Sequence, residues 1–277
     1  MESEEESIRL DIKTDPRTVQ KYARWAGIQA GMKVGDFGCG PGKTSYYLNR
    51  LVQPGGSTLG IDISAQRIDY ARIYFPAPGL DFVTGDIRES LEAYGLFDFI
   101  WVRFVLEYYR SSGFEIVRNI CSALKPGGIL CLIDLDYNCL SHFGLSPTLE
   151  KAMRGVMQHV EQQADFDPYI GRKLYSYLFD LNFSEIRVKM DSHHLIYGPV
   201  KEKDLFNWTQ KVEIAARQSG YGFKEYENGF QGFHSEFQAF FHDPRRFTYT
   251  PIICCYGKKP ATKIPSVLSI AARQNAI

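Results

Sequence analysis

The stretch 34-VGDFGCGPGKTSYYL-48 places glycine at every second position, Gly38, Gly40 and Gly42, behind an acidic residue, Asp36. Glycine at that density lets the backbone enter conformations closed to other residues and approach a neighbour or ligand closely. A short apolar run, Lys33–Phe37, precedes the loop and a helical pattern follows it. Strand, glycine loop and helix in that order is the general form of a nucleotide site in an open α/β sheet. The dinucleotide fingerprint is spaced G-x-G-x-x-G, whereas here the spacing is G-x-G-x-G. The GKT of residues 42–44 suggests a phosphate loop, but that motif needs glycine at position 37, where Phe37 stands. Pro41 also removes a backbone donor that a phosphate cradle would use.

Working outward, apolar runs alternate with helical patterns. A helix is predicted over 16–30, with Pro16 in its first turn. Strands are predicted over Lys33–Phe37, Ser57–Ile63, Leu80–Thr84, Phe97–Val102 and Ile129–Leu135. Helices are predicted over Thr44–Leu51, Ala65–Tyr74 and Phe114–Leu124, the last stopped by 125-KPGG-128. Such alternation means βαβ units around a parallel sheet, and the nearly continuous apolar strands fit a sheet covered on both faces. The predicted fold class is α/β, a Rossmann-like, seven-stranded, mostly parallel sheet with helices on both faces and further helical insertions.

The ordered motifs of residues 34–136 resemble those of class I S-adenosylmethionine-dependent methyltransferases. The resemblance rests on D-x-G-x-G-x-G after the first strand, on Asp62 in 59-LGIDIS-64 and on Asp86 in 82-FVTGDI-87. The fourth-strand segment 97-FDFIWVRFVLEYY-109 and the turn 124-LKPGGILCLID-134 complete it. The small-molecule, quinone-methyltransferase-like branch looks most similar. The resemblance implies S-adenosyl-L-methionine as cofactor. It implies that Gly38, Cys39, Gly40 and Gly42 bring the loop backbone against it, that Asp36 lies near its methionine end, that Asp62 with Ile63 takes the ribose, and that Asp86 with Ile87 takes the adenine. Arg103 and Phe104 then line the methyl donor. Asp62 also suits a nicotinamide dinucleotide ribose, and Asp86 also suits a helix N-cap.

The rhythm changes after Asp136. Helical patterns cover 147–163, 171–180 and 201–218, a strand covers 183–198, and 223–242 is a polar–aromatic segment. The last strand, 247–257, contains Pro251, which points to an edge or a bulge. The expected organisation is an N-terminal helical segment over 1–30, a cofactor core over 31–136, and a half completing the sheet over 137–258. That half carries insertions near 140–166 and 201–242, and a tail spans 259–277. The resemblance implies that the insertions cover the active site as a lid. Their dense aromatics either line an apolar pocket or pack the lid onto the sheet.

Methyl transfer needs a general base only for a poorly nucleophilic acceptor. Candidates are His142, His193, His194, His234, Glu107 and Asp136, with His234 first among the histidines. Glu107 is also placed to pair with Arg103 or Arg88. Asp134 and Asp136 lack the Asp-Asn pairing of a catechol-type metal site, so no metal is expected. Two functions remain open: a small-molecule methyltransferase acting on O, N or C, and a protein of the same fold that binds the cofactor without transferring its methyl group. The N-P-P-Y-type loop of amino-group methyltransferases of DNA is missing where 101-WVRF-104 stands.

Composition agrees with a soluble, cytoplasmic globular chain. Of 277 residues, 44% are apolar and 23% charged, and the formal net charge is zero, so no polyanionic partner is indicated. The acidic start MESEEESIRLD does not fit a signal peptide, and 96-LFDFIWVRFVL-106 is too short to span a bilayer. The six cysteines form no C-x-x-C pair and read as free thiols. A small-molecule acceptor is the expected partner, with no nucleic acid and no membrane. Monomer and homodimer are both open.

Overall fold

The computed structural model describes residues 10–11 and 14–260. Helix α1 spans Pro16–Ala26. The Asp15 side chain accepts from the amides of Arg17 and Thr18, which satisfies two orphan donors of the first turn. Gly27, at φ 96°, ends the helix by a left-handed turn.

The β/α alternation follows as the patterns predict. It runs β1 (Lys33–Phe37), α2 (Lys43–Val52), β2 (Ser57–Asp62), α3 (Ala65–Tyr74), β3 (Leu80–Thr84), β4 (Phe97–Arg103), α4 (Gly113–Ser122) and β5 (Leu124–Leu135). Several boundaries differ: α1 stops at Ala26 rather than at residue 30, and β5 begins at Leu124 rather than Ile129. Residues 125-KPGG-128 lie inside β5, where the register to β4 shifts between Phe97 and Phe99. The irregular backbone is satisfied there because the Gly127 amide donates to the Lys259 carbonyl.

The later elements are β6 (His142–Phe143), α5 (Pro147–Gln163), α6 (Leu174–Asp180), β7 (Ser184–Tyr197), α7 (Glu202–Ser219), α8 (Phe230–His242) and β8 (Phe247–Lys258). A 3₁₀ turn over Ile170–Lys173 leads into α6, so the helical pattern of 171–180 divides in two. Helix α8 occupies what the sequence shows only as a polar–aromatic segment. Phe230, Phe233, Phe237, Phe240 and Phe241 share one helical face, and all but Phe230 are buried.

The sheet order is β3-β2-β1-β4-β5-β8-β6, with β7 also paired to β8. Strands β1 to β5 run parallel, and β8 is antiparallel to its neighbours. Among the described residues there are eight strands rather than the expected seven. The additional one, β6, continues the edge of β8 beyond the end of β5, pairing His142 with Thr248. Strand β8 is interior, so Pro251 does not mark an edge. It sits opposite the irregularity of β7 between Ser192 and His194. Its carbonyl accepts from the Asp136 amide just past the end of β5, so its missing N–H points away from the β7 ladder.

Alternate residues of the central strands feed two cores. Val34, Phe99, Trp101 and Cys131 pack under α1 and α2, with Val19, Tyr22 and Leu48. Phe37, Ile100, Val102 and Leu130 pack under α4 and α6, with Ile116, Ile120 and Leu174. A third cluster joins α5, α7 and α8 through Met153, Val156, Trp208, Val212, Phe233 and Phe237, and it meets the sheet at Ile196. The residues of the 259–277 tail beyond 260 lie outside the described residues.

Candidate cofactor and active site

The three loop glycines adopt positive φ, 78° at Gly38, 55° at Gly40 and 91° at Gly42, but for different reasons. A Cβ on Gly38 would stand 2.3 Å from Val105 Cγ2, and one on Gly42 would stand 2.5 Å from Ala71 Cβ. Those two glycines let the loop seat against β4 and α3. A Cβ on Gly40 meets nothing within 4 Å. Gly40 therefore presents bare backbone to open space at the carboxyl ends of the parallel strands, where such sheets bind ligands.

Asp62, at the end of β2, fixes the loop. Its Oδ2 accepts from the Gly40 amide at 2.8 Å and its Oδ1 from the Ser64 amide at 3.0 Å. Ser64 in turn caps α3. A carboxylate offers about four acceptor positions, so Asp62 retains capacity for the hydroxyls of a ribose. Ile63 beside it is exposed. Asp86 is gripped by Arg88, whose Nε and Nη2 reach both carboxylate oxygens at 2.6 to 3.0 Å. This ion pair holds the Asp86 carboxyl below its ordinary range. The Ile87 side chain lies in the core, and its carbonyl accepts from Asn119 Nδ2 at 2.8 Å.

Asp36 is buried at the end of β1 and accepts a 2.6 Å hydrogen bond from Ser45 Oγ. Burial raises its carboxyl to about 7, against the opposing pull of Ser45 and the charge of Arg103. Because the folded value exceeds the ordinary 3.8, the stabilising contribution is complete below pH 3.8 and is lost as the pH rises to about 7. Asp36→Asn is therefore expected to narrow the difference in stability between pH 5 and pH 8, as measured by urea denaturation at both values. An unchanged difference would refute an unusually basic Asp36. Cys39, buried in the same loop, is held as a thiol by burial and by the neighbouring carboxylates.

Beyond β4, Phe104 adopts φ 58°, a conformation uncommon for a bulky residue and typical of strained functional positions. The Arg103 guanidinium lies 4.3 Å over its ring and the His193 ring packs on it at 5.2 Å. Glu107 does not pair with Arg103 or Arg88. It is buried, and Asn138 Nδ2 donates to its Oε2 at 2.8 Å, while Lys211 Nζ donates to Asn138 Oδ1 at 2.7 Å. Burial raises the carboxyls of Glu107 and of its neighbour Asp134.

The candidate histidines separate. His234 packs on Phe230, which lies against the α5–α7–α8 cluster. His142 Nε2 lies 3.2 Å from the Cys139 carbonyl, which can only accept, so Nε2 carries the proton and Nδ1 accepts from Thr248. Burial lowers His142 to about 4, keeping it neutral. His193 meets Phe104 at the end of β4. No sequence signal marks that contact, because it joins residues of β4 and β7 that are distant in the chain. Among the described residues, no cluster of His, Cys, Asp and Glu could hold a metal ion, and no helix is long and apolar enough to cross a membrane.

A glycine loop against a buried aspartate, at the carboxyl edge of a β3-β2-β1-β4-β5-β8 sheet, defines a Rossmann-like α/β fold. A family model described as "Methyltransferase domain" matches residues 34–128. The matched description names no branch of that family. A curated relative, an uncharacterized methyltransferase of Synechocystis, is 31% identical over 127 residues, which cover 46% of this chain and 58% of the relative. The chain thus spans little more than half the length of that relative.

Two solved structures share the fold. One is phosphoethanolamine N-methyltransferase 2 of Haemonchus contortus in complex with phosphomonomethylethanolamine and S-adenosylhomocysteine (TM-score 0.52, 15% identity, 88% of this chain and 52% of that one). The other is the [4+2]-cyclase SpnF (TM-score 0.52, 18% identity, 89% and 82%).

Proposed function

We propose that the protein transfers a methyl group from S-adenosyl-L-methionine to a small, apolar or aromatic acceptor at O, N or C. The observation that carries this reading is the loop in which Asp62 holds Gly40 with its backbone open to a ligand. The residues fit the cofactor: Asp62 retains acceptor capacity for ribose hydroxyls, and Asp36, buried at the end of β1, is the acid for its methionine end in this reading. Gly40 permits close approach, and the loop offers no run of amides for phosphate because Pro41 interrupts it.

When bound, the cofactor supplies a methyl group activated by its sulfonium charge. The chain's own task is to hold the acceptor in line and to exclude water, and positioning of this kind can contribute roughly 7–11 kcal/mol. Phe104 and His193 wall the end of β4, and the α5–α7–α8 cluster, over roughly 140–166 and 201–242, acts as the lid. Most lid aromatics pack on one another, with Phe223, Phe233, Phe237 and Phe241 all buried, so their first role is to give the lid a core. Neither His234 nor Glu107 is given the role of base in this reading. Glu107 acts as a positioning group beneath the lid.

Fold likeness to a cyclase keeps a second reading in view, a protein that binds the cofactor and catalyses another reaction, because fold alone does not fix chemistry. Calorimetry with S-adenosylhomocysteine and a mass-shift screen of metabolites with labelled cofactor test both readings. Asp62→Asn keeps an acceptor for the Gly40 amide and removes the charge. It is expected to weaken S-adenosylhomocysteine binding about tenfold. Wild-type affinity for NAD equal to that for S-adenosylhomocysteine would overturn the cofactor assignment. Binding without any mass shift in the screen would favour the second reading.

A further inference from the structure

Between Ser192 and His194, strand β7 carries one residue more than its partner strand. Ser192 lies opposite Pro251 and His194 opposite Thr250, the adjacent residue of β8, so His193 is the extra one. In a regular strand, neighbours point to opposite faces, and the sheet would separate His193 from His194. The bulge cancels that alternation. The two rings lie on one side, with centroids 4.3 Å apart. His193 packs on Phe104, just past the end of β4, at 5.2 Å, and His194 packs on Trp208 of α7 at 5.6 Å. Both flanks of the bulge are pinned. Asp191 before it accepts from Lys21 Nζ at 2.8 Å and from the Tyr22 hydroxyl at 3.0 Å, and Ile196 after it is buried in the α5–α7–α8 cluster.

Of the six histidines of the chain, His193 is the one that meets the end of β4. His142 engages both ring nitrogens, with Thr248 and the Cys139 carbonyl. His159 and His242 each bond a backbone carbonyl, of Ser219 and of Gln238, and His234 packs on Phe230. The rings of His193, His194 and Phe104 are half-buried, so a small molecule can reach them. Two backbone irregularities meet at this contact, the bulge of β7 and the φ of 58° at Phe104. Both kinds concentrate at active sites, where a bulge re-aims a side chain.

We propose that His193 is a catalytic base and that the acceptor is a phenol, its ring against Phe104 and its hydroxyl at the His193 imidazole. This rests on the cofactor reading given above, in which the end of β4 lines the methyl donor. The acceptor oxygen bonds to the methyl carbon as the carbon–sulfur bond breaks, and sulfur keeps the electron pair. The hydroxyl proton passes to a ring nitrogen of His193 and then to solvent. A neutral amine brings its own lone pair and a carboxylate is already ionised, so neither needs an imidazole beside it. An aliphatic hydroxyl is too weak an acid for an imidazole, whereas a phenol hydroxyl becomes acidic enough as its bond to carbon forms. His194 holds the His193 ring from the Trp208 side and is a positioning residue.

Transfer of labelled methyl to 4-methoxyphenol and to 4-nitrophenol at pH 8, by wild type, His193→Gln and His194→Gln, tests the assignment, with thermal melting as the check on folding. 4-Nitrophenol is largely ionised at that pH and needs no base. His193→Gln is expected to slow transfer to 4-methoxyphenol by about 100-fold or more and to 4-nitrophenol by less than about threefold. Calorimetric binding of 4-methoxyphenol to this variant, saturated with S-adenosylhomocysteine, is expected to stay within about threefold of wild type. His194→Gln is expected to slow transfer to both phenols alike. Equal slowing of the two phenols by His193→Gln overturns the proposal, and so does a selective loss in His194→Gln instead. Transfer by wild type to neither phenol overturns it even if a variant does not fold. In each of these cases the cofactor reading stands so long as wild type binds S-adenosylhomocysteine. Failure to bind it overturns the cofactor reading, and this proposal with it.

Discussion

Gly42→Ala is expected to cost roughly 2–5 kcal/mol of folding stability, whereas Gly40→Ala costs about 1–2 kcal/mol and loses cofactor affinity at least tenfold. Both residues have positive φ, so both substitutions carry the strain of a left-handed alanine. They differ in what the new methyl group meets. At Gly42 it would stand 2.5 Å from Ala71 Cβ and 2.9 Å from the Phe82 ring, both buried in one small cluster under the loop. Relieving those contacts means moving α3 or β3, and neither neighbour is the free end of a flexible chain. At Gly40 the methyl group enters open space, so the free protein accommodates it, and the collision comes only when a ligand lies against the loop. Urea denaturation of both variants, set beside calorimetry with S-adenosylhomocysteine, separates the two effects. Undiminished affinity in Gly40→Ala would place the ligand elsewhere.

The contrast also shows what the sequence discloses and what it does not. The spacing of Gly38, Gly40 and Gly42 behind Asp36 marks a close approach, and the alternation of apolar runs marks the parallel sheet, because both are local patterns. Which glycine faces a ligand and which faces Val105 or Ala71 depends on how distant elements pack, and spacing carries no trace of that. The same holds for Glu107. Its nearness in sequence to Arg103 suggests an ion pair, yet the turn over Leu106–Tyr108 directs it towards Asn138, and its neighbour Asp134 comes from the adjacent strand.

Helix α8 was legible in principle. The positions Phe230, Phe233, Phe237, Phe240 and Phe241 recur at helical spacing, but Gly229, Gly232 and the polar residues between them conceal the period. The depth of β8 within the sheet was not legible, since Pro251 fits an edge or a bulge equally, and only the partner's irregularity at Ser192–His194 decides for the second.

Lys211→Met is expected to lower methyl transfer about 100-fold while leaving affinity for S-adenosylhomocysteine within about tenfold of wild type. Lys211 reaches from α7 to Asn138, and Asn138 reaches Glu107 in the turn after β4, so one chain of hydrogen bonds ties α7, in the proposed lid, to the segment that carries Arg103 and Phe104. Methionine keeps the stem that packs near Trp208 and removes the charge and the donor. The buried acceptor left on Asn138 costs about 1–3 kcal/mol. Without Lys211, the Glu107 carboxyl, already raised by burial, rises further. A carboxyl whose folded value is raised contributes stability that is complete below its ordinary 4.5 and is lost as the pH climbs through the folded value. The variant's deficit is therefore larger at pH 8 than at pH 5, and Glu107→Gln in the same chain reduces it by removing the group that needed compensation. Thermal melting at both pH values checks the deficit, and calorimetry beside a labelled-methyl assay checks the division of labour. A parallel loss of cofactor binding and transfer would mean that this connection supports the cofactor site itself rather than the closure of the lid over the acceptor.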